Sequence, residues 1–151
     1  MFSDFDFGFS ARLLAAETAR LHQPAYLYRF TYVGQGPFAA LGAFHAEELM
    51  FLSQHDWTSW VPTPDDARVS ATLLGYWVRF IRTGDPNGAG LPAWPAYTPQ
   101  NDLAQILGSN VTTARDPRSE KFAPFQQYLD SRLERLPNHG AYTADPAPAS
   151  K

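Results

Sequence analysis

The sequence contains no cysteine, no Lys/Arg cluster and no long apolar run, and each absence excludes a class of protein. Without cysteine the chain has no disulfides, no thiol nucleophile and no cysteine zinc site. Its formal net charge of −3 argues against a nucleic acid partner. No run approaches the roughly 20 apolar residues that a membrane span needs. We therefore expect neither a nucleic acid partner nor a membrane span, and no motif calls for a cofactor.

The first ten residues lack the basic start and apolar core of a signal peptide. Two interpretations follow. Either the protein stays where it is made, or its true N-terminus lies upstream of Met1. The compartment cannot be read from the sequence.

Aromatic residues are abundant, at 15 % of the 151 residues, and 44 % of the chain is hydrophobic. These proportions are typical of one globular domain with a substantial core or buried interface. Residues 137–151 are rich in Pro, Ala and Ser and are expected to form a flexible tail. We therefore assign residues 1–136 to one domain and residues 137–151 to the tail.

Apolar spacing predicts three longer helices, over residues 4–22, 65–82 and 118–136, and a short helix over 46–52. The second has the strongest pattern, and Gly84 is placed to end it in a left-handed conformation. Pro124 is expected to break or restart the third. The apolar stripe of the second helix consists of Val69, Leu73, Tyr76, Trp77, Phe80 and Ile81.

Two strands are predicted, over residues 25–32 and 102–108. The first is apolar on both faces apart from Arg29 and Thr31, which suits an interior strand. Since a two-stranded sheet is only marginally stable, an interior strand needs further neighbours. The fold class is therefore α/β, with few strands, three longer helices and an incomplete sheet.

The stretch "GAFHAEEL" places His45 among small and apolar residues. From these residues alone, His45 is either a catalytic base or an ordinary loop histidine. Glu47 is expected to face solvent. His22, His55 and His139 have no supporting motif and are interpreted as ordinary side chains.

Four motifs follow one another: "YLYRF", "GAFHAEELMFL", "YWVRFIRTGDPNG" and "WPAY". Their order and spacing resemble the C-terminal part of type B carboxylesterases, the cholinesterase-like α/β-hydrolase family, from about Phe5 to Leu107. The resemblance implies that His45 is the catalytic base of a Ser-Glu/Asp-His triad. It also implies that Glu48, in the same motif, supports the site without contacting the substrate. Where that family usually has Gly directly after the histidine, this chain has Ala46.

The other triad members are missing from this sequence. No G-x-S-x-G motif is present, and "GFSAR" lacks the second glycine and places Ser10 on a predicted helix. In this family the acid precedes the histidine by at least one strand, which would place it upstream of Met1. The resemblance implies a small carboxylic ester as substrate. It also implies either a complementary N-terminal chain or self-association to complete the fold.

Two alternatives stay open. The chain could be a non-catalytic binding or interaction module of the same family. It could also be a small independent hydrolase that pairs His45 with a new serine such as Ser53 or Ser70. A further pattern, Asn110-Val111-Thr112, fits N-glycosylation but is interpreted as a turn or strand end.

Overall fold

The computed structural model describes residues 4–35, 39–53, 61–115 and 119–135, with side chains from residue 7 onward. The longer elements are a π-helical segment Asp4–Phe9, α1 Ser10–Arg20, β1 Tyr28–Phe30, α2 Glu47–Ser53, α3 Pro64–Thr83, β2 Leu103–Leu107, β3 Val111–Arg115 and α4 Ala123–Leu133. Short 3₁₀ turns cover Ala39–Leu41 and Ser119–Phe122. Predictions for His55, His139 and the tail over 137–151 fall outside the described residues.

The three strands form one sheet in the order β1-β2-β3. β1 runs parallel to β2, with Tyr28 opposite Gln105, and α2 and α3 lie between them in the chain. β2 and β3 form an antiparallel hairpin that closes at Leu107 and Val111. The sequence did not predict β3, because four of its five residues are exposed and show no apolar alternation. Asn110 lies in the hairpin turn directly before β3, as a turn or strand-end residue would.

The first predicted strand is shorter than expected. The sequence predicts a strand of interior type over 25–32 that needs further neighbours, whereas the regular strand covers only Tyr28–Phe30 and lies at the edge of the described sheet. The backbone before the regular strand still forms hydrogen bonds on one side, since Tyr97 N–H donates to the Ala25 carbonyl at 2.7 Å. Among the described residues, no strand pairs with its other side. Apolarity on both faces is therefore compatible with an edge strand in this chain.

Helix α3 begins and ends as its sequence predicts. Thr63 and Asp66 form a reciprocal capping box, in which the Thr63 hydroxyl accepts from Asp66 N–H and the Asp66 carboxylate accepts from Thr63 N–H. Gly84 ends the helix at φ 75°, a conformation that favours glycine. The N-terminal half of its apolar stripe is buried, whereas Phe80 and Ile81 are exposed to 47 % and 77 %.

The "GDPNG" and "WPAY" motifs meet in a clamp. The Asn87 side chain donates through Nδ2 to the Trp94 carbonyl at 2.9 Å, and its Oδ1 accepts from Trp94 N–H at 2.6 Å. Asp85 Oδ1 accepts from the backbone N–H of Asn87, which fixes the turn. Trp94 and Tyr97, the two aromatic residues of the WPAY motif, are both buried.

The N-terminal helix is fastened to the sheet by a buried ion pair. Arg12 Nη2 lies 2.7 Å from Asp102 Oδ2, and Asp102 is buried directly before β2. Phe9 packs on Phe122 and Phe125, which joins the two ends of the chain. Because Asp102 is buried, removal of Arg12 would leave its carboxylate with the more distant Arg115, whose Nε lies 3.9 Å from the same oxygen.

The central core lies between β1, β2, α2 and α3. Its buried members are Tyr32, Phe51, Val69, Leu73, Tyr76, Trp94 and Leu107. All come from elements that either pair in the sheet or cover it, so the core fixes the face on which the loop after β1 rests. None of the described helices is both long and apolar enough to cross a membrane.

Candidate active-site loop

His45 lies in a tight bend on the connection that leaves β1. Gly42 has φ 67° and Ala46 has φ 65°, so a left-handed residue stands on each side of the bend. Glu47 N–H donates to the Phe44 carbonyl at 3.3 Å and closes the turn around His45. The histidine side chain is exposed, and its ring stacks on Phe7 with centroids 4.0 Å apart and an interplanar angle of 17°. The loop thus presents one open imidazole above the sheet.

Ala46 occupies a position whose backbone conformation favours glycine. A left-handed conformation costs a residue with a β-carbon about 1–2 kcal/mol. This is the position at which the sequence departs from the family pattern, and the departure therefore places a strained residue directly after His45.

Glu48 connects the helix after His45 to the strand before it. The Tyr28 hydroxyl on β1 donates to Glu48 Oε1 at 3.1 Å. Burial, together with the Glu48 charge, raises the pKa of Tyr28 well above its ordinary value. The hydroxyl therefore stays protonated at neutral pH and remains a donor to the carboxylate.

Glu47 was expected to face solvent, and that prediction is wrong. Its exposure is 4 %, and its Oε2 has no hydrogen-bond partner among the described residues. The physical reason is helical geometry: Glu47 and Phe51 are four residues apart on α2, share one face, and are both buried. That i,i+4 spacing was the signal that could have revealed it. Burial raises the pKa of Glu47, although backbone hydrogen bonds from Phe44 and Gly34 oppose the rise.

The serines singled out from the sequence lie in different surroundings. Ser70 is fully buried, and its hydroxyl donates to the Phe51 carbonyl at 2.6 Å. Ser10 is exposed at the first position of α1, and Ser53 is exposed at the last position of α2. Within the described parts of the chain, no cluster of three acidic or histidine side chains could hold a metal ion.

An aromatic cleft of about 270 Å³ opens beside β1. Seven residues line it: Tyr26, Tyr28, Tyr76, Trp77, Phe80, Pro86 and Trp94. Tyr28 therefore faces the cleft while its hydroxyl reaches Glu48. Sequence reasoning missed this cleft, because it is assembled from three separate segments.

Comparison with known proteins gives one consistent family. Residues 1–125 match the model of the carboxylesterase family. Carboxylesterase 1C of Rattus norvegicus is 29 % identical over 134 residues, which are 85 % of this chain and 24 % of the relative. The liver carboxylesterase of Sus scrofa is 26 % identical over 142 residues, or 91 % of this chain and 25 % of the relative.

Solved structures agree. A PNB esterase structure aligns with a TM-score of 0.68 and 33 % identity, and the match covers 85 % of this chain and 26 % of that one. Carboxylesterase EST55 of Geobacillus stearothermophilus aligns with a TM-score of 0.60 and 34 % identity over 72 % of this chain and 23 % of its own. The chain thus spans about a quarter of the length of these relatives. The chain represents part of an α/β-hydrolase fold, and the family model matches residues 1–125. This chain therefore belongs to the carboxylesterase family.

Proposed function

We propose that this chain supplies the general-base histidine of a serine carboxylesterase acting on small carboxylic esters. The observation that carries the proposal is the position of His45. It lies exposed in a tight bend on the connection that follows β1, a strand that runs parallel to its neighbour β2. In open parallel sheets, reactive groups are presented from loops at the carboxyl ends of the strands.

In the proposed reaction, the His45 imidazole takes the proton of a serine hydroxyl as that oxygen attacks the ester carbonyl. The imidazolium then returns the proton to the leaving alkoxide. The sequence has no G-x-S-x-G motif, and Ser70 is held by the Phe51 carbonyl. The nucleophile, the acid and the oxyanion donors are therefore proposed to come from residues outside these 151. The scheme needs no metal or organic cofactor.

Glu48 is proposed to support the base without contacting the ester. Its hydrogen bond from Tyr28 joins the start of α2 to β1, and His45 lies between these two elements in the chain. Loss of this bond would allow α2 and the histidine loop to shift against the strand. The expected consequence is a misplaced imidazole rather than a changed chemical step.

The rest of the fold is proposed to dock at β1. The side of β1 on which no described strand pairs and the adjacent aromatic cleft offer backbone hydrogen-bonding groups and an apolar surface together. We propose that a complementary N-terminal portion carrying the serine occupies this surface, and that self-association is the competing outcome when this portion is absent. Chain without the partner should then elute from gel filtration as an oligomer or a loosened species.

A chimera tests the catalytic proposal. In it, this chain replaces the matching quarter of PNB esterase, and both p-nitrophenyl acetate turnover and labelling by a fluorophosphonate serine probe are measured. The matched variants are His45→Asn and His22→Asn, because His22 is exposed and its φ of 57° suits asparagine. General-base loss is expected to lower turnover roughly 10²- to 10⁴-fold in the first variant only.

A folded chimera in which His45→Asn retains turnover and probe labelling would contradict the proposal. It would favour the alternative that the chain is a non-catalytic interaction module. Probe labelling of the isolated chain, with saturable turnover, would instead reveal a nucleophile within the 151 residues.

A further inference from the structure

Glu47 is an acidic residue whose surroundings are unusual. It stands two residues after His45, it is almost completely buried, and Oε2 of its carboxylate lacks a partner among the described residues. We propose that Glu47 is a positioning residue that fixes the His45 loop to the segment leaving β1. Its effect on catalysis rests on the function proposed above.

The carboxylate joins two distant parts of the chain. Backbone N–H groups of Phe44 and Gly34 donate to it. Phe44 directly precedes His45, and Gly34 lies four residues beyond the end of β1. One side chain therefore determines where the backbone before His45 stands relative to the strand that carries the loop.

The Gly34 end of the hydrogen-bonded connection to Glu47 is closely packed. Gly34 is buried, and a β-carbon there would lie 3.2 Å from Phe51 Cζ and 3.3 Å from Asp66 Oδ1. Asp66 is fully buried and accepts from the Tyr32 hydroxyl at 2.8 Å while it caps α3. The carboxylate of Glu47 thus anchors the loop to the central core rather than to another loop.

The side chain of His45 does not itself hold the loop in place. Its side chain is exposed and stacks on Phe7, a residue that is itself half exposed. The backbone of the bend therefore sets the direction of the imidazole. Two features hold this backbone: the hydrogen bond from the Phe44 N–H and the left-handed conformation of Ala46. A general base that is misplaced by about 1 Å can lose roughly 10²-fold in rate.

Two acidic groups lie near this connection. Glu48 follows Glu47 on α2 and raises its pKa further, after burial, which is the largest cause. Asp66 on α3 lies against Gly34 from the other side. Protonation of Glu47 would weaken both backbone hydrogen bonds at once, since a neutral carboxyl is a poorer acceptor than a carboxylate.

An NMR titration of the full ¹⁵N-labelled chain tests the connection directly. The amide signals of Phe44 and Gly34 are expected to move together with one midpoint above the ordinary glutamate value. The His45 ring signals are expected to show an inflection at that same midpoint. Glu47→Gln should remove the shared transition. Glu17→Gln, at an exposed carboxylate on α1, should keep it.

The second arm is kinetic and uses the chimera. Glu47→Gln is expected to lower kcat roughly 10- to 100-fold with little change in KM, because the base is misplaced and not removed. Amide signals that titrate independently would overturn the proposal, whatever the activity. A shared titration with unchanged kcat would also overturn it and leave Glu47 a purely structural residue.

The two proposals fail in different ways. If the chimera carrying wild-type sequence is folded but inactive, the proposed function fails. The positioning claim is then decided by the His45 ring signals alone. They must change more in Glu47→Gln than in Glu17→Gln, and the wild-type titration decides the matter if Glu47→Gln does not fold.

Discussion

Two regions of this chain are built on opposite principles. From Thr63 to Tyr97, α3, the turn after it and the Trp94 segment are held by caps, a glycine at positive φ and buried aromatic rings. Between Gly42 and Glu48, the chain turns through an alanine at positive φ, buries an incompletely paired carboxylate and exposes its histidine. The first region satisfies its local preferences, whereas the second violates several of them. Such violations are concentrated at functional sites, where geometry is more important than stability.

The largest expected effect comes from the well-satisfied region. Leu73→Ala should destabilise the fold by about 2–5 kcal/mol, because Leu73 is 1 % exposed and its truncation leaves a cavity in the central core. Urea unfolding at a fixed protein concentration measures the change. Leu49→Ala is the control, since Leu49 is 55 % exposed, and its effect should stay within about 0.5 kcal/mol. Equal losses in the two variants would mean that the core is not packed as described.

The clamp at Trp94 should give the next largest effect. Asn87→Ala removes both side-chain hydrogen bonds to Trp94 and should cost about 1–3 kcal/mol, because backbone groups of a buried residue lose their partners. Tryptophan fluorescence during unfolding follows the change. Asn110→Ala, in the exposed hairpin turn, serves as the comparison. The clamp interpretation is wrong if both variants unfold at the same urea concentration.

Ala46→Gly tests whether the histidine loop is strained. Glycine relieves the left-handed conformation, worth about 1–2 kcal/mol, but loses about 0.4–1 kcal/mol through the unfolded state, so the net gain should be about 0–1.6 kcal/mol. The matched change Ala43→Gly should have the opposite sign, because φ of Ala43 is not positive. Thermal unfolding of the two variants gives the comparison. Destabilisation by both would contradict the strain.

The smallest effect is a difference in pH response between the regions. The pKa of Glu47 is raised in the folded chain above its unfolded pKa of 4.5. Its contribution to the free energy of unfolding is therefore fully present below pH 4.5 and is lost as pH rises through the folded pKa. The pKa of Asp85 is lowered by hydrogen bonds from Asn87, so its contribution is present above 3.8 and is lost as pH falls through the folded pKa. From pH 4 upward, the free energy of unfolding of the unmodified chain should therefore fall relative to that of Glu47→Gln. Below pH 4 it should fall relative to that of Asp85→Asn. Unfolding measured from pH 3 to 8 for all three chains checks both signs.

Prediction from sequence succeeded where local physics decides. The α3 boundaries were predicted nearly to the residue, because the apolar stripe marks the helix and Gly84 strongly prefers the position that ends it. The restart at Pro124 was also predicted. The capping box of Thr63 and Asp66 was not named from the sequence. A helix face becomes buried only where something covers it, and Phe80 and Ile81 stay exposed for that reason.

For the candidate site, the sequence singled out His45 and Glu48 through their resemblance to a family motif, and their catalytic roles stay predictions. The prediction that Glu47 faces solvent was wrong, because the residue at which α2 begins decides which of two adjacent carboxylates is buried. The hydrogen bond from Tyr28 to Glu48, twenty positions away, could not be read from any local pattern. The stacking of Phe7 on His45 has the same origin in chain folding.

By itself, the sequence determined the glycine that ends α3, the location of the histidine bend and the absence of a G-x-S-x-G serine. These features depend on side chains acting within about four residues of their own backbone. Only the tertiary structure decided that β1 pairs in parallel with β2, that β3 exists, and that Glu47 lies buried against Gly34 while His45 stays open. Those outcomes depend on which distant segments exclude water from one another, because burial is a property of the packed chain and not of a residue.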